Sequence, residues 1–591
     1  MSGDDRKDQG SGSFLAGVER ARSAWDESVL KKAVAKCNLP ESPTRHYTPL
    51  DWDQSNYLEK VGFPGQYPFT AGNTPVEFWK AHARLAALAG YRPDWGGRGV
   101  GRYGGFGAPE DYRDYLIRMH GQNRKGGPNM AFDLATQCGY DPDAPEAAGE
   151  VGRVGVSVSS LRDFEIIYEP YRGDQELTQI GSNFTINAPC CVIIAMYCAL
   201  AEQRGIPPAA LRGTPQNDIL KEFIARGTYI FPPAESLRLF RDTLGFLRKT
   251  MPKLNVCSIG GYHIREAGAT PVQDLAYSLS FARAYLAAGL ETGLPVDDFA
   301  PMFTFNAFGG SMKIYEEIAM QRAARRMYAR MLKEDFGAKS ARSMLIRQIT
   351  TVHVGCSSTT LQRPLNNLAR AVMGGMAAGM SGGVPAAYPA FDEPLGLGHS
   401  LEAQQLQMDA TRILLSETGI TDVCDPWAGS YFMESLTDEM EAAAAAEMAK
   451  IEGMGGAVAA VESGYLSRAV AKSAYEKQKR VEAGEDLVVG VNCYVSPLEM
   501  TVEVNRQVEA TYDPALMATA EERRIKAMAD LKRERNTKAV AKALSDLALT
   551  CRDPERNVMP EVLAAVKAYA TLQEICDVMR EVFGVFAPAK L

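Results

Sequence analysis

From about Asp111 to Ser430 the chain alternates amphipathic helical runs with short apolar or mixed runs. Apolar residues at helical spacing predict helices at Pro109–His120, Pro189–Gln203, Asn217–Ala225, Ala234–Met251, Thr270–Ala288, Lys313–Lys333, Asn366–Met380 and Leu401–Glu417. Between them, strands are predicted at Gly181–Ile186, Asn255–Ile259, Met302–Asn306 and Ser343–Thr351. Strand–helix units repeated over about 300 residues predict a parallel α/β fold, with a (β/α)8 TIM barrel the natural size match. Before this region come a helical run, Phe14–Lys36, a turn-rich stretch at 61–75, a helix at Val76–Gly90 and a Gly-dense loop, Gly96–Gly107. After residues 425–434 the pattern changes to helices: Thr437–Gly453, Gly456–Ser463, charged helices to position 545, then Met559–Ala570 and Leu572–Phe583. The expected division is an N-terminal arm (1–60), a barrel (61–435) with an entrance loop (71–107), and a C-terminal helical extension (436–591).

The strand candidates are unusually polar. A barrel interior is ordinarily packed with Val, Ile and Leu. Here GSNFTINA, NVCSIGG, MFTFNAF and IRQITTVH carry Ser, Thr and Asn at alternating positions. Either these groups lie at strand ends or against helices, or the bore is narrow and polar and admits an extended ligand.

Composition narrows the function classes. A net charge of −8 with 64 basic and 72 acidic residues argues against nucleic-acid binding. No run of eighteen or so apolar residues predicts a membrane span, and the N-terminus lacks a signal-peptide core. The 11 cysteines contain no CxxC pair and the six histidines no HExxH spacing, so reduced thiols, no protein-held metal and a cytoplasmic location are expected.

The chemistry concentrates in Gly213–Pro233 and in GGYHIREAGAT at 260–270, which bring Gln216, Arg226 and His263 toward one polar pocket. The runs TPQNDILKEFIARGTYIFPP and MPKLNVCSIGGYHIREAGAT are followed by DLAYSLSFARAYLAAGL and DDFAP. With FDLATQCGYDPDAP (132–145), RAARRMYARM (322–331), ETGITDVCDPWAGSYFMESLT (417–437) and VVGVNCY (488–494), they resemble the catalytic chain of coenzyme B12-dependent acyl-CoA mutases, the methylmalonyl-CoA mutase family. The likeness runs from about residue 55 to 590, with its motifs in family order.

The resemblance implies a barrel that takes the pantetheine arm of CoA along its axis, and adenosylcobalamin as cofactor for a radical 1,2-shift. The family's cobalamin-binding domain carries an Asp-x-His-x-x-Gly motif, which this chain lacks. The implied partner is a separate small cobalamin-binding subunit bearing the cobalt ligand, in a heterotetramer of two large and two small chains. By resemblance, Arg226 grips a substrate carboxylate, His263 donates to the thioester carbonyl with Gln216 orienting it, and Tyr103 wedges between substrate and cobalamin. Thr185, Asn183, Thr214, Asn129 and Thr304 match substrate-lining positions, and Phe132, Glu393, Gly396, Tyr103 and Gly355 cofactor-contacting ones.

Departures cluster at the substrate side. PFTAG places Ala71, and FAPM places Met302, where arginine is usual in the family. Tyr103 with Arg226 favours a methylmalonyl-like dicarboxylate, whereas isobutyryl-type members tend to carry Phe and Gln there. Ala131 replaces the Asp of hydroxyisobutyryl-type members. A bulkier 2-substituted malonyl or succinyl group, or a catalytically silent scaffold, are the alternatives.

Overall fold

A computed structural model describes residues 5–37, 47–75, 100–120, 127–173, 176–306, 308–347, 356–383, 389–395, 401–496 and 514–588. Its organising element is a run of parallel strands: β1 (Val100–Gly104), β2 (Gly127–Ala131), β3 (Ser182–Thr185), β4 (Gly213–Pro215), β5 (Cys257–Gly260) and β6 (Phe303–Asn306). The first four form one sheet in sequential order and the last two pair with each other. The two sheets meet where Asn255 N donates to Gly213 O at 2.9 Å and Ser258 N to Gln216 O at 2.8 Å. The protein is therefore a helix-rich α/β fold with parallel strands.

Alternation along the strands decides which face is polar. On β3, Phe184 packs on the helix-borne rings of Phe164 and Tyr197, with centroids 6.1 and 5.2 Å away. On β6, Phe303 meets Phe240, and Phe305 meets Phe308 and Tyr328. Asn183 and Thr185, and likewise Thr304 and Asn306, therefore face the other side of the sheet. The helix Cys190–Gln203 is buried from Cys190 to Ala201, its cysteines packing as small hydrophobes between the sheet and the C-terminal helix Met559–Lys567.

Three expectations need correction. Gly96–Gly107 is not wholly a loop, because Val100–Gly104 forms β1. Asn217–Ala225 is not an α-helix; only Leu220–Phe223 makes a 3₁₀ turn. Asn217 sits at φ 45, and Asp218, Lys221 and Glu222 are held by side-chain partners that a regular helix would pull apart. Finally, 343–347 is not extended throughout. Ser343 Oγ caps onto Asp297, and only Arg347 joins the ladder, its carbonyl accepting from Phe305 N at 2.8 Å. The rest of that candidate, the Val76–Gly90 helix and most of the entrance loop lie outside the described residues.

The C-terminal helices share one continuous core with the strand region. Leu572 N donates to Ser159 O at 2.7 Å, and Phe586 packs edge-on against Phe223 and Tyr229. No described helix is long and apolar enough to cross a membrane.

Candidate active site

The register gathers the sequence candidates into a row. Tyr103 pairs with Asn129, Asn129 with Asn183, and Asn183 with Thr214. Paired residues of parallel strands face the same side, so Asn129, Asn183 and Thr214 form one polar line. It continues through Asn255, whose amide donates to Thr214 Oγ1 at 2.7 Å and whose carbonyl accepts from Arg347 Nη1 at 3.2 Å. One step toward the C-terminal ends, Thr185 and Gln216 follow. Thr304 lies on the same face, but its hydroxyl donates to Cys257 O at 2.8 Å and is used within the ladder.

At the C-terminal ends of β4 and β5 the two motifs meet. Gly260 N donates to Asp218 Oδ2 at 2.7 Å, tying the strand end that precedes His263 to the loop after Gln216. His263, half-buried on the short helix Gly261–Glu266, places Nδ1 3.0 Å from where a Cβ on Gly260 would stand, with Lys221 Cε 3.5 Å from the same point. A side chain at 260 would crowd the imidazole, so glycine permits this close approach.

Beneath them lies a buried polar set that the sequence reading passed over: Asn187, Asp218, Lys221, Glu222, Thr228 and Tyr285. Lys221 and Glu222 are ion-paired with both side chains fully buried. Glu222 also accepts from Asn187 Nδ2 at 2.7 Å, from Thr228 N at 3.3 Å and from the Thr228 hydroxyl. Asn187 Nδ2 bonds Gln216 Oε1 at 2.9 Å, and Tyr285 OH donates to Asp218 Oδ1 at 2.8 Å. Burial pulls the Lys221 ammonium down, opposed by Glu222 and Asp218. Burial alone would raise Glu222, but the charges of Lys221 and Arg226 and its hydrogen bonds hold it below the usual carboxylate range. Burial pushes Asp218 up. The available sequence signal was the run Asn-Asp-x-x-Lys-Glu, interleaved with apolar Ile219, Leu220, Phe223 and Ile224.

Arg226 stands apart from this buried set. It is exposed, at a turn completed by Gly227 at φ +80, and close enough to bias both Lys221 and Glu222. The structure thus joins Gln216 and His263 through shared neighbours and puts Arg226 on the adjoining turn. The side chain of Tyr103, and Gly355 and Gly396 entirely, lie outside what is described. Phe132 is fully buried and takes a bond from Gln137 on its carbonyl. Glu393 is half-buried at the start of a short turn after Phe391, whose carbonyl accepts from Asn367 on the helix Asn366–Met380.

Ala71 packs into a small apolar cluster with Trp52 and Val61. Its turn is gripped from below by buried Arg325, which donates to the carbonyls of Phe69, Thr70 and Ser381. Among the described residues no group of three or more His, Cys, Asp or Glu could hold a metal ion.

Residues 41–585 match the family model described as methylmalonyl-CoA mutase. A probable mitochondrial methylmalonyl-CoA mutase of Caenorhabditis elegans is 36% identical over 92% of this chain and 68% of its own length. The methylmalonyl-CoA mutase of Rhizobium meliloti (strain 1021) is 36% identical over 91% of this chain and 71% of its own. The 2-hydroxyisobutanoyl-CoA mutase large subunit of Aquincola tertiaricarbonis is 33% identical over 92% of this chain and 91% of its own. A matched span of that length places the protein among the isomerases that act as acyl-CoA mutases: the chain belongs to the methylmalonyl-CoA mutase family.

Proposed function

We propose that this chain is the large subunit of an adenosylcobalamin-dependent mutase that moves the thioester group between adjacent carbons of a carboxylated acyl-CoA, of the methylmalonyl/succinyl type. The observation that carries the reading is the placement of Gln216 and His263 at neighbouring strand ends, with Arg226 on the adjoining turn. The polar line Asn129–Asn183–Thr214 supports an extended ligand running along the sheet face, and with it a (β/α)8 barrel closed around that ligand.

Arg226 takes the free carboxylate in a bidentate fork, a charge-assisted contact worth about 1.5–3 kcal/mol. His263 donates to the thioester carbonyl and Gln216 holds the same end of the substrate. Tyr103 covers the reacting carbons, and with Asn183 and Thr185 it shields them from water. The strand ends suit a broad polar-rimmed group: Asn306 ends β6 and Glu266 ends the short helix after β5, both half-buried polar residues. When bound there, adenosylcobalamin supplies the hydrogen-abstracting radical chemistry. Glu393, Gly355 and Gly396 would hold it from this chain, with the fully buried Phe132 backing them from the core, and a small cytoplasmic partner subunit would provide the cobalt ligand in a heterotetramer.

No described atom lies within 4 Å of where a Cβ on Gly104 would stand, which favours a second reading within the same chemistry, a bulkier 2-substituted malonyl or succinyl group. The test is to combine the chain with a cobalamin-binding small subunit and adenosylcobalamin. A panel of acyl-CoAs is then followed for isomer interconversion by chromatography and mass spectrometry. Turnover confined to carboxylated acyl-CoAs is expected; turnover confined to monocarboxylic ones such as isobutyryl-CoA contradicts the assignment.

A further inference from the structure

The polarity of the buried hydrogen bonds can be read without ambiguity, because both ends of the chain of bonds have fixed chemistry. At one end the peptide N–H of Asp218 donates to Asn187 at 2.9 Å, so the accepting atom is Oδ1 and the other terminal atom is the amide nitrogen. At the other end that nitrogen meets a Glu222 oxygen at 2.7 Å, an acceptor while Lys221 keeps Glu222 ionised. The same nitrogen lies 2.9 Å from Gln216, so the Gln216 atom facing it is the carbonyl oxygen. The Gln216 oxygen is thereby occupied and its NH2 group is left as the end available to a ligand.

Glu222 has a second arm. Its other carboxylate oxygen takes both the backbone N–H and the hydroxyl of Thr228, and its own carbonyl takes Gly227 N at 2.8 Å. Those bonds fix the turn that carries Arg226.

We infer that Glu222 is a positioning residue with two separable outputs: through Asn187 it sets Gln216 as a hydrogen-bond donor, and through Thr228 it sets the Arg226 turn. This rests on the reading of the site as one for acyl-CoA. It commits the first arm to the thioester end, common to all acyl-CoAs, and the second to the free carboxylate, found only in dicarboxylic ones. The sequence Lys-Glu alone suggests a solvated pair, whereas both side chains are fully buried.

The test uses the full chain and titration calorimetry with two probes, succinyl-CoA and butyryl-CoA. Asn187→Asp replaces the donor facing Glu222 and Gln216 with an acceptor, and is expected to weaken both probes alike, by about tenfold or more. Thr228→Val removes a hydroxyl from the second arm alone, and is expected to weaken succinyl-CoA by about tenfold while leaving butyryl-CoA unchanged. Glu222→Asp, which keeps the charge, should retain more of both affinities than Glu222→Gln. If Asn187→Asp does not fold, Asn187→Ser replaces it, removing the amide that links Glu222 to Gln216 without adding a charge; the expected loss is again equal for both probes. Unchanged affinity in the first-arm variant, or equal loss of both probes in Thr228→Val, overturns the two-arm role while the acyl-CoA reading stands. A wild-type chain that binds neither probe overturns the acyl-CoA reading itself.

Discussion

Arg226 and Lys221 lie five residues apart in opposite surroundings, one exposed and one fully buried against Glu222. A guanidinium on a turn can reach a ligand without first losing a protein partner, so Arg226→Gln is expected to cost a carboxylated acyl-CoA about 10- to 100-fold in affinity and a monocarboxylic one almost nothing. Equal losses for the two would remove its role as carboxylate selector. Asp274 makes a different prediction. Burial raises its carboxyl from 3.8 to about 7, against the charge of Arg265 and a bond from Gly309 N. The folded state then binds the proton more tightly than the unfolded chain. Its contribution to stability is full below the unfolded value and is lost as pH rises through about 7. Denaturant titrations of wild type and Asp274→Asn should diverge between about pH 5 and pH 8, with wild type losing more. At this scale the family was legible because the motifs around Gln216, Arg226 and His263 are long and specific. Asn187 and Glu222 were not, because nothing local distinguishes a buried Lys-Glu pair from a solvated one.

The elements explain where pattern reading failed. Ile219, Leu220, Phe223 and Ile224 have helical spacing, yet the segment is a 3₁₀ turn because its charged residues bond to other strands and loops. Val100–Gly104 reads as turn chemistry from its glycines, and only pairing with Gly127–Ala131 makes it a strand. Polar alternation in GSNFTINA and MFTFNAF was legible, and the aromatic contacts of Phe184 and Phe305 give its reason. The long helices Ile314–Arg330 and Tyr431–Gly453 are joined through Arg322, fully buried between Glu434 and Asp425 of the preceding loop. Arg322→Met leaves two buried carboxylates without their cation and should destabilise the fold by about 3–5 kcal/mol, measured by chemical denaturation. A loss below about 1 kcal/mol, the range of exposed pairs, would contradict its buried role.

Across the whole molecule, the C-terminal residues pack against the Arg226 turn as well as into the core. Phe586 packs on Phe223 and Tyr229, which flank the Arg226 turn, and Phe586 N donates to Ile230 O at 3.1 Å. Phe586→Ala is expected to cost about 1 kcal/mol of aromatic contact, visible as a modest fall in unfolding midpoint. It should also weaken succinyl-CoA more than butyryl-CoA; equal weakening would detach the tail from the turn. That coupling joins sequence-distant segments and had no signature in the pattern, which showed only two amphipathic helices near the end. The central claim, that this chain rearranges the carbon skeleton of a carboxylated acyl-CoA, is tested most directly by 13C NMR of labelled succinyl-CoA. The label is followed with the chain, a cobalamin-binding small subunit and adenosylcobalamin present together. The account predicts label appearing in a branched dicarboxylic product, lost when adenosylcobalamin is omitted and strongly reduced in Arg226→Gln. Label that stays in the linear skeleton, in a mixture that isomerises only monocarboxylic acyl-CoAs, would contradict it.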